Sequence, residues 1–130
     1  MPADQIDTSK YTILIVDDEA IARDIFEGHL VTEGYNLVSV NSGWQALQYL
    51  EQNQVDLIVL DVMMPHMDGF TVAERIKTND RWRHIPIILV TAFWNQEQMD
   101  RGVAVGVESF LPKPVAGNDL RAQIRLLLQP

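Results

Sequence analysis

The sequence predicts an α/β protein: five parallel strands, each followed by a helix, in a single three-layer sandwich. Three observations carry this reading. Short apolar runs (ILIV, LIVL, IILV and SFL) recur along the 130 residues, each closed by polar or turn residues, as in strands buried on both faces. Between them the apolar spacing changes to the helical period. The runs also end on chemically versatile residues: Asp17-Asp18, Asp61, Thr91-Ala92 and Lys113-Pro114. In a parallel sheet all strand C-termini share one edge, which is where open α/β sheets bind ligands.

Taken in order, residues 1–10 read as a short flexible leader, and TILIVDD (12–18) as the first strand. From Glu19 to about Thr32 a helix places Ile21, Ile25, Phe26, His29 and Leu30 on its apolar side and stops at Gly34. NLVSV (36–40) alternates polar and apolar positions, as a strand nearer the sheet edge does. Ser42 caps a second helix in which Trp44, Leu47 and Leu50 share a face. VDLIVLD (55–61) is the most apolar strand and is expected at the centre. Gly69-Phe70 opens a third helix with Phe70, Ala73, Ile76 and Lys77 along one side, and Pro86 introduces IILVTA. A weaker fourth helix starts near Gln96, with Met99, Val103 and Ala104 as its apolar positions. Gly102 and Gly106 each lower its propensity by about 1 kcal/mol where they lie inside it. SFLPKP supplies the fifth strand. The last helix, from Asn118 or Asp119, turns Leu120, Ile124, Leu127 and Leu128 inward and Arg121 and Arg125 outward. One domain over residues 11–128 is expected, with 129–130 ending the chain after the last helix and no output domain following.

Composition excludes several classes. A hydrophobic content of 47% with 22% charged residues suits a folded globular domain, and a net charge of -8 argues against direct nucleic-acid binding. No cysteine is present, so thiol catalysis and thiolate zinc sites are excluded. His29, His66 and His84 lack metal-ligand spacing. The N-terminus carries no signal peptide and no run is long enough to span a membrane. A cytoplasmic protein is the default expectation.

Two adjacent acids at a buried strand end are more than a helix cap requires. At ~4 Å, two such charges repel by roughly 4 kcal/mol at an effective dielectric of 20, so the cluster calls for a cation, and Mg²⁺ suits carboxylates combined with waters and phosphate. Asp61 follows Asp18 by 43 residues, the span of two helices and an intervening strand. With strand order 2-1-3-4-5, the flavodoxin-like (βα)5 arrangement, the first and third strands are neighbours and Asp61 lies beside the pair. An Asp there is suited to act as a nucleophile that accepts a phosphoryl group. Lys113 offers an ammonium for the carboxylates or a phosphoryl oxygen, Thr91 a hydroxyl, and Pro114 a fixed turn, with a cis peptide as one option.

The set IVDD (15–18), LIVLDVMMPHMDG (57–69), TAF (91–93) and FLPKP (110–114) resembles a receiver domain of the two-component response regulators, from about Tyr11 to Leu128. The resemblance implies Asp61 as phosphoacceptor, with Mg²⁺ (or Mn²⁺) held by Asp18, Asp61 and the Met63 backbone carbonyl, and by Asp17 through water. It also implies Thr91 as switch hydroxyl, Lys113 as the phosphoryl-pairing lysine and Phe110 as switch aromatic. Partners would be a histidine kinase or histidine phosphotransfer protein and a downstream output domain or protein, reached through the face of helix four, strand five and helix five. Homodimerisation through that face is a further expectation, with Asp100, Arg101, Arg121 and Arg125 as pairing charges. Met63 and Phe93 would flank the path of water to the phosphoryl group. Both are apolar, which predicts slow self-dephosphorylation.

Two other functions compete. An aspartyl-nucleophile phosphatase of the haloacid dehalogenase type wants a second aspartate where this chain has Met63. A binding module without phosphotransfer, as in degenerate receivers, typically lacks an acid, the threonine or the lysine, and all are present. Nucleotide and flavin roles lack their glycine-rich motifs. His66 has no acid or serine partner in its motif and is assigned to structure.

Overall fold

A computed structural model describes residues 7–129. A 3-10 turn at Thr8–Lys10, capped by Asp7, precedes β1 (Thr12–Val16). Then follow α1 (Ala20–Leu30), β2 (Asn36–Val40), α2 (Gly43–Gln52), β3 (Leu57–Asp61), α3 (Gly69–Lys77), β4 (Ile87–Thr91), α4 (Gln96–Val105), β5 (Ser109–Pro112) and α5 (Gly117–Leu128). The strands form one parallel sheet of order β2-β1-β3-β4-β5, the flavodoxin-like order expected. Of the leader, residues 1–6 lie outside the described residues. Residues 8–10 form the opening turn, and Asn36 on β2 donates a side-chain hydrogen bond to the Ser9 carbonyl at 2.9 Å.

Successive strand residues face opposite sides of the sheet, which builds two cores. Leu14, Val16, Ile58, Leu60, Ile87 and Leu89 face α2 and α3, while Ile13, Ile15, Leu57, Val59, Ile88 and Val90 face α1 and α5. All five residues of β3 and of β4 are buried, whereas β2, at the edge, is only partly covered. Gly34 ends the turn after α1 at φ 88, and Ser42 accepts from the Gln45 N–H as the cap of α2. Lys77 points inward. Its ammonium donates to the Ile85 carbonyl and pairs with Glu108, both at 2.8 Å, while Glu108 also accepts from the Ile87 N–H. That network ties α3 to the starts of β4 and β5.

Four helix-face expectations need correction. On α1, Phe26 and Leu30 are buried but Ile21 and Ile25 are exposed, because the sheet covers only the arc of Ala22, Phe26 and Leu30. Trp44 is exposed on α2, its ring covered by the Arg75 guanidinium at 5.0 Å, and Ala46 takes the inward place. On α4, Met99, Val103 and Ala104 all face solvent, and the buried position is Gly102. The reason is the Phe110 ring, which lies against Gly102 where any side chain would overlap it. On α5, Arg121 does not point freely outward: it donates to the His29 carbonyl at 2.9 Å, and Arg125 pairs with Glu33. Arg125 is thus exposed, as expected, while Arg121 is half-buried against α1. Arg101 lies 3.7 Å from Asp68.

Candidate functional site

The C-terminal edge of the sheet gathers the residues singled out in the sequence. Asp17 follows β1 and is fully buried; Asp61 ends β3 and Thr91 ends β4, both almost fully buried. Lys113 follows β5, and its N–H donates to the Thr91 carbonyl at 2.9 Å, which extends the ladder by one residue. The Lys113-Pro114 peptide is cis. The Lys113 ammonium reaches Asp17 Oδ2 at 2.8 Å and Asp61 Oδ1 at 3.1 Å, joining the ends of β1, β3 and β5 in one ion cluster.

Asp17 has a second task, because its Oδ1 accepts from the Glu19 N–H at 2.9 Å at the entrance to α1. Capping and cation-holding are thus both open to it. Its backbone carbonyl accepts from Arg23 at 2.8 Å. Asp18 is exposed, and its carboxylate gathers with those of Asp17 and Glu19 closely enough to share one cation. Glu19 and Arg23 were missed in the sequence. Glu19 was legible as the third acid in a row, whereas Arg23 was not, since only the turn of α1 aims it at the strand end.

The loop after β3 is held tightly. Gly69 N–H donates to the Val62 carbonyl at 2.9 Å, and Asp68 caps α3 by accepting from Thr71 N–H at 2.9 Å. Met64 and Met67 are buried beneath the loop. His66 adopts φ 69 and is exposed. Met63 and Phe93 are 54% and 61% exposed at the rim, so neither is a packing residue. The Met63 carbonyl accepts no hydrogen bond among the described residues.

Burial, reinforced by the charge of Asp17, raises the Asp61 carboxyl from 3.8 to about 6, against the pull of Lys113. Burial also disfavours the Lys113 ammonium, but its hydrogen bond to Asp17 and the charge of Asp61 outweigh this and lift it above 10.5. Between about pH 4 and pH 6 the folded chain binds a proton at Asp61 that the unfolded chain has lost, so folding stability falls as pH rises through this window. For the metal-free protein the expected outcome is a contribution from this group that makes pH 7 less favourable to folding than pH 4. Urea unfolding at pH 4, 5, 6 and 7 checks it, and stability rising across that range would contradict the sign.

Buried negative charge of this kind fits a divalent cation. The donors are all oxygen, several are carboxylates and one carbonyl is free, which is the chemistry that Mg²⁺ takes. Thr91 is turned differently: its Oγ1 accepts from the Phe93 N–H at 3.1 Å, tying the hydroxyl to the β4–α4 loop. Phe110 lies behind that loop on the α4 side, its ring edge-on to Trp94 with centroids 5.6 Å apart at 64°. The site thus combines a buried carboxylate, an ammonium already bridging two acids, a neighbouring acidic trio and a hydroxyl on a loop. Such an arrangement suits phosphoryl transfer, in which positioning and charge compensation do most of the work.

Residues 13–125 match the family described as the response regulator receiver domain. The transcriptional regulatory protein AfsQ1 of Streptomyces coelicolor is 40% identical over 117 residues, which are 90% of this chain and 50% of that protein. The response regulator PleD of Caulobacter vibrioides is 38% identical over 115 residues, 88% of this chain and 25% of that protein. The chain spans about half or less of the length of such curated relatives. Among solved structures, the chemotaxis protein CheY4 of Vibrio cholerae superposes with a TM-score of 0.86 at 28% identity, covering 91% of this chain and 98% of that one.

Proposed function

This chain belongs to the response regulator receiver domain family, and on that premise we propose that it takes a phosphoryl group onto Asp61 from a histidine kinase or phosphotransfer protein. The observation that carries the reading is the Lys113 ammonium held between Asp17 and Asp61 at 2.8 and 3.1 Å. An Asp61 carboxylate oxygen forms the new P–O bond as the donor's P–N bond breaks, with the electron pair left on the donor imidazole. Lys113 then exchanges its contact with Asp61 for a phosphoryl oxygen, keeping its bond to Asp17. Thr91 turns its hydroxyl from Phe93 toward another phosphoryl oxygen. Asp17, Asp18, Asp61 and the Met63 carbonyl would hold Mg²⁺ or Mn²⁺, with Glu19 beside them, and the cation supplies charge neutralisation on the phosphoryl oxygens. The domain acts as a signalling module in the cytoplasm, and its change of state is read by an output domain or partner protein through the face of α4, β5 and α5. One named relative, AfsQ1, is a transcriptional regulatory protein, so any nucleic-acid contact belongs to an output domain rather than to this acidic surface.

Acetyl phosphate with Mg²⁺ is expected to add one phosphoryl group to the intact protein, read by mass, and chelation of the cation is expected to prevent it. No uptake with the cation present would overturn the reading. The exposed apolar rim at Met63 and Phe93 offers no side-chain hydrogen bond to an attacking water, which supports a long-lived acyl phosphate. Met63→Asn supplies one such bond, and about 1.4 kcal/mol off the barrier corresponds to roughly tenfold faster decay. Equal decay rates in the two proteins would remove the rim from the explanation.

A further inference from the structure

Three observations in the β4–α4 region point to one device. First, the Phe110 ring already lies on the α4 backbone, in a slot that exists only because residue 102 has no side chain, and Trp94 closes the slot edge-on. Phe110 therefore has its packing partners in place in this conformation. Second, two polar atoms are buried without partners among the described residues: the Trp94 indole Nε1–H, a donor, and Gln98 Oε1, an acceptor. Leaving a buried hydrogen bond unmade is costly, and such groups are rare in native structures. Third, the cap of α4 is half made. Asn95 Oδ1 accepts from the Gln98 N–H at 2.8 Å, but Gln98 does not return the bond that a reciprocal capping box contains.

Thr91 links this region to the site. Its hydroxyl holds the Phe93 N–H, so moving the hydroxyl to a phosphoryl oxygen releases the loop immediately before Trp94. We propose that Trp94, not Phe110, is the aromatic that moves in this chain, and that its indole N–H pairs with Gln98 Oε1 in the phosphorylated state. Trp94 and Gln98 are then positioning residues that couple the sheet edge to α4, and Gly102 keeps Phe110 fixed as the surface against which Trp94 slides. The inference rests on the phosphorylation of Asp61 proposed above.

The test is indole N–H resonance spectroscopy on the whole chain, with uptake of a phosphoryl group from acetyl phosphate verified by mass in the same sample. Trp44 and Trp82 serve as internal references. The expected result is a shift of the Trp94 indole signal with about tenfold slower solvent exchange, while the nuclear Overhauser contacts between the Phe110 ring and the Gly102 α protons persist. Gln98→Leu keeps the side-chain volume without the acceptor and is expected to abolish the slowing. By linkage, Gln98→Leu and Trp94→Phe should each require up to about tenfold more of a non-hydrolysable phosphoryl analogue for half-saturation. An unchanged Trp94 signal, or slowing that survives Gln98→Leu, in protein that carries the phosphoryl group overturns the proposal alone. Absence of phosphoryl uptake overturns the functional reading and the proposal with it.

Discussion

Asp61→Asn is expected to reduce phosphoryl uptake from acetyl phosphate to nothing measurable, while the fold is retained. The amide lacks the anionic oxygen that must form the P–O bond, and no other carboxylate occupies its position at the end of β3. Asp17 is committed to Lys113 and to the Glu19 N–H, and Asp18 is on the exposed side, so neither substitutes. The same substitution carries a second signature. It removes the buried group whose carboxyl is raised to about 6, so the fall in stability between about pH 4 and pH 6 should largely vanish in metal-free buffer. Lys113 keeps its 2.8 Å bond to Asp17, which leaves the remaining ion pair in place. A variant that still gains a phosphoryl group would mean that the acceptor lies elsewhere.

Gly69→Ala is the second large effect. A Cβ at residue 69 would sit 2.8 Å from Val62 Cα and 3.0 Å from the carbonyl carbon of Asp61, and closer still to the Asp61 carbonyl oxygen. These are backbone atoms at the end of a fully buried strand, so they cannot rotate away as a side-chain tip can. The expected cost is about 3 kcal/mol, or roughly a 10 °C lower melting temperature for a domain of this size. Because relief requires moving the backbone of Asp61, the rate of phosphoryl uptake should fall as well. Gly28→Ala is the control. It lies in the last turn of α1 with nothing near the added carbon, and should be neutral to stabilising, by up to about 0.5 kcal/mol. If the two variants melt alike, the close approach at Gly69 is not what fixes the loop.

Much of the site was legible because its chemistry is written at strand ends. An apolar run must stop where the chain leaves the sheet, so Asp17, Asp61, Thr91 and Lys113 were identifiable as neighbours once the strand order was assumed. Helix faces were less legible. Periodicity marks an apolar arc but not how much of that arc a neighbour covers, and so Ile21 and Ile25 were expected inside and lie exposed. On α4 the apolar residues misled outright: Met99, Val103 and Ala104 face out because a ring from β5 claims the side of the helix that carries Gly102. A glycine read as a weakness of the helix proved to be the contact that sets its rotation. Gly69, read in the sequence only as the start of the third helix, matters because there is no space for a side chain beside Asp61.

The sequence by itself determined the alternation of strands and helices, the residues at each strand end and the family to which the chain belongs. These follow from local rules, since hydrophobic period and turn chemistry act over a few residues. The tertiary structure alone decided which acid the lysine holds, that Asp61 is buried enough to raise its carboxyl, and that Phe110 rests on Gly102 beneath Trp94. Those depend on distances between residues tens of positions apart, which are set only when the layers pack. The strand ends name the participants in the chemistry, and the packing behind them sets how a change at Asp61 can reach α4.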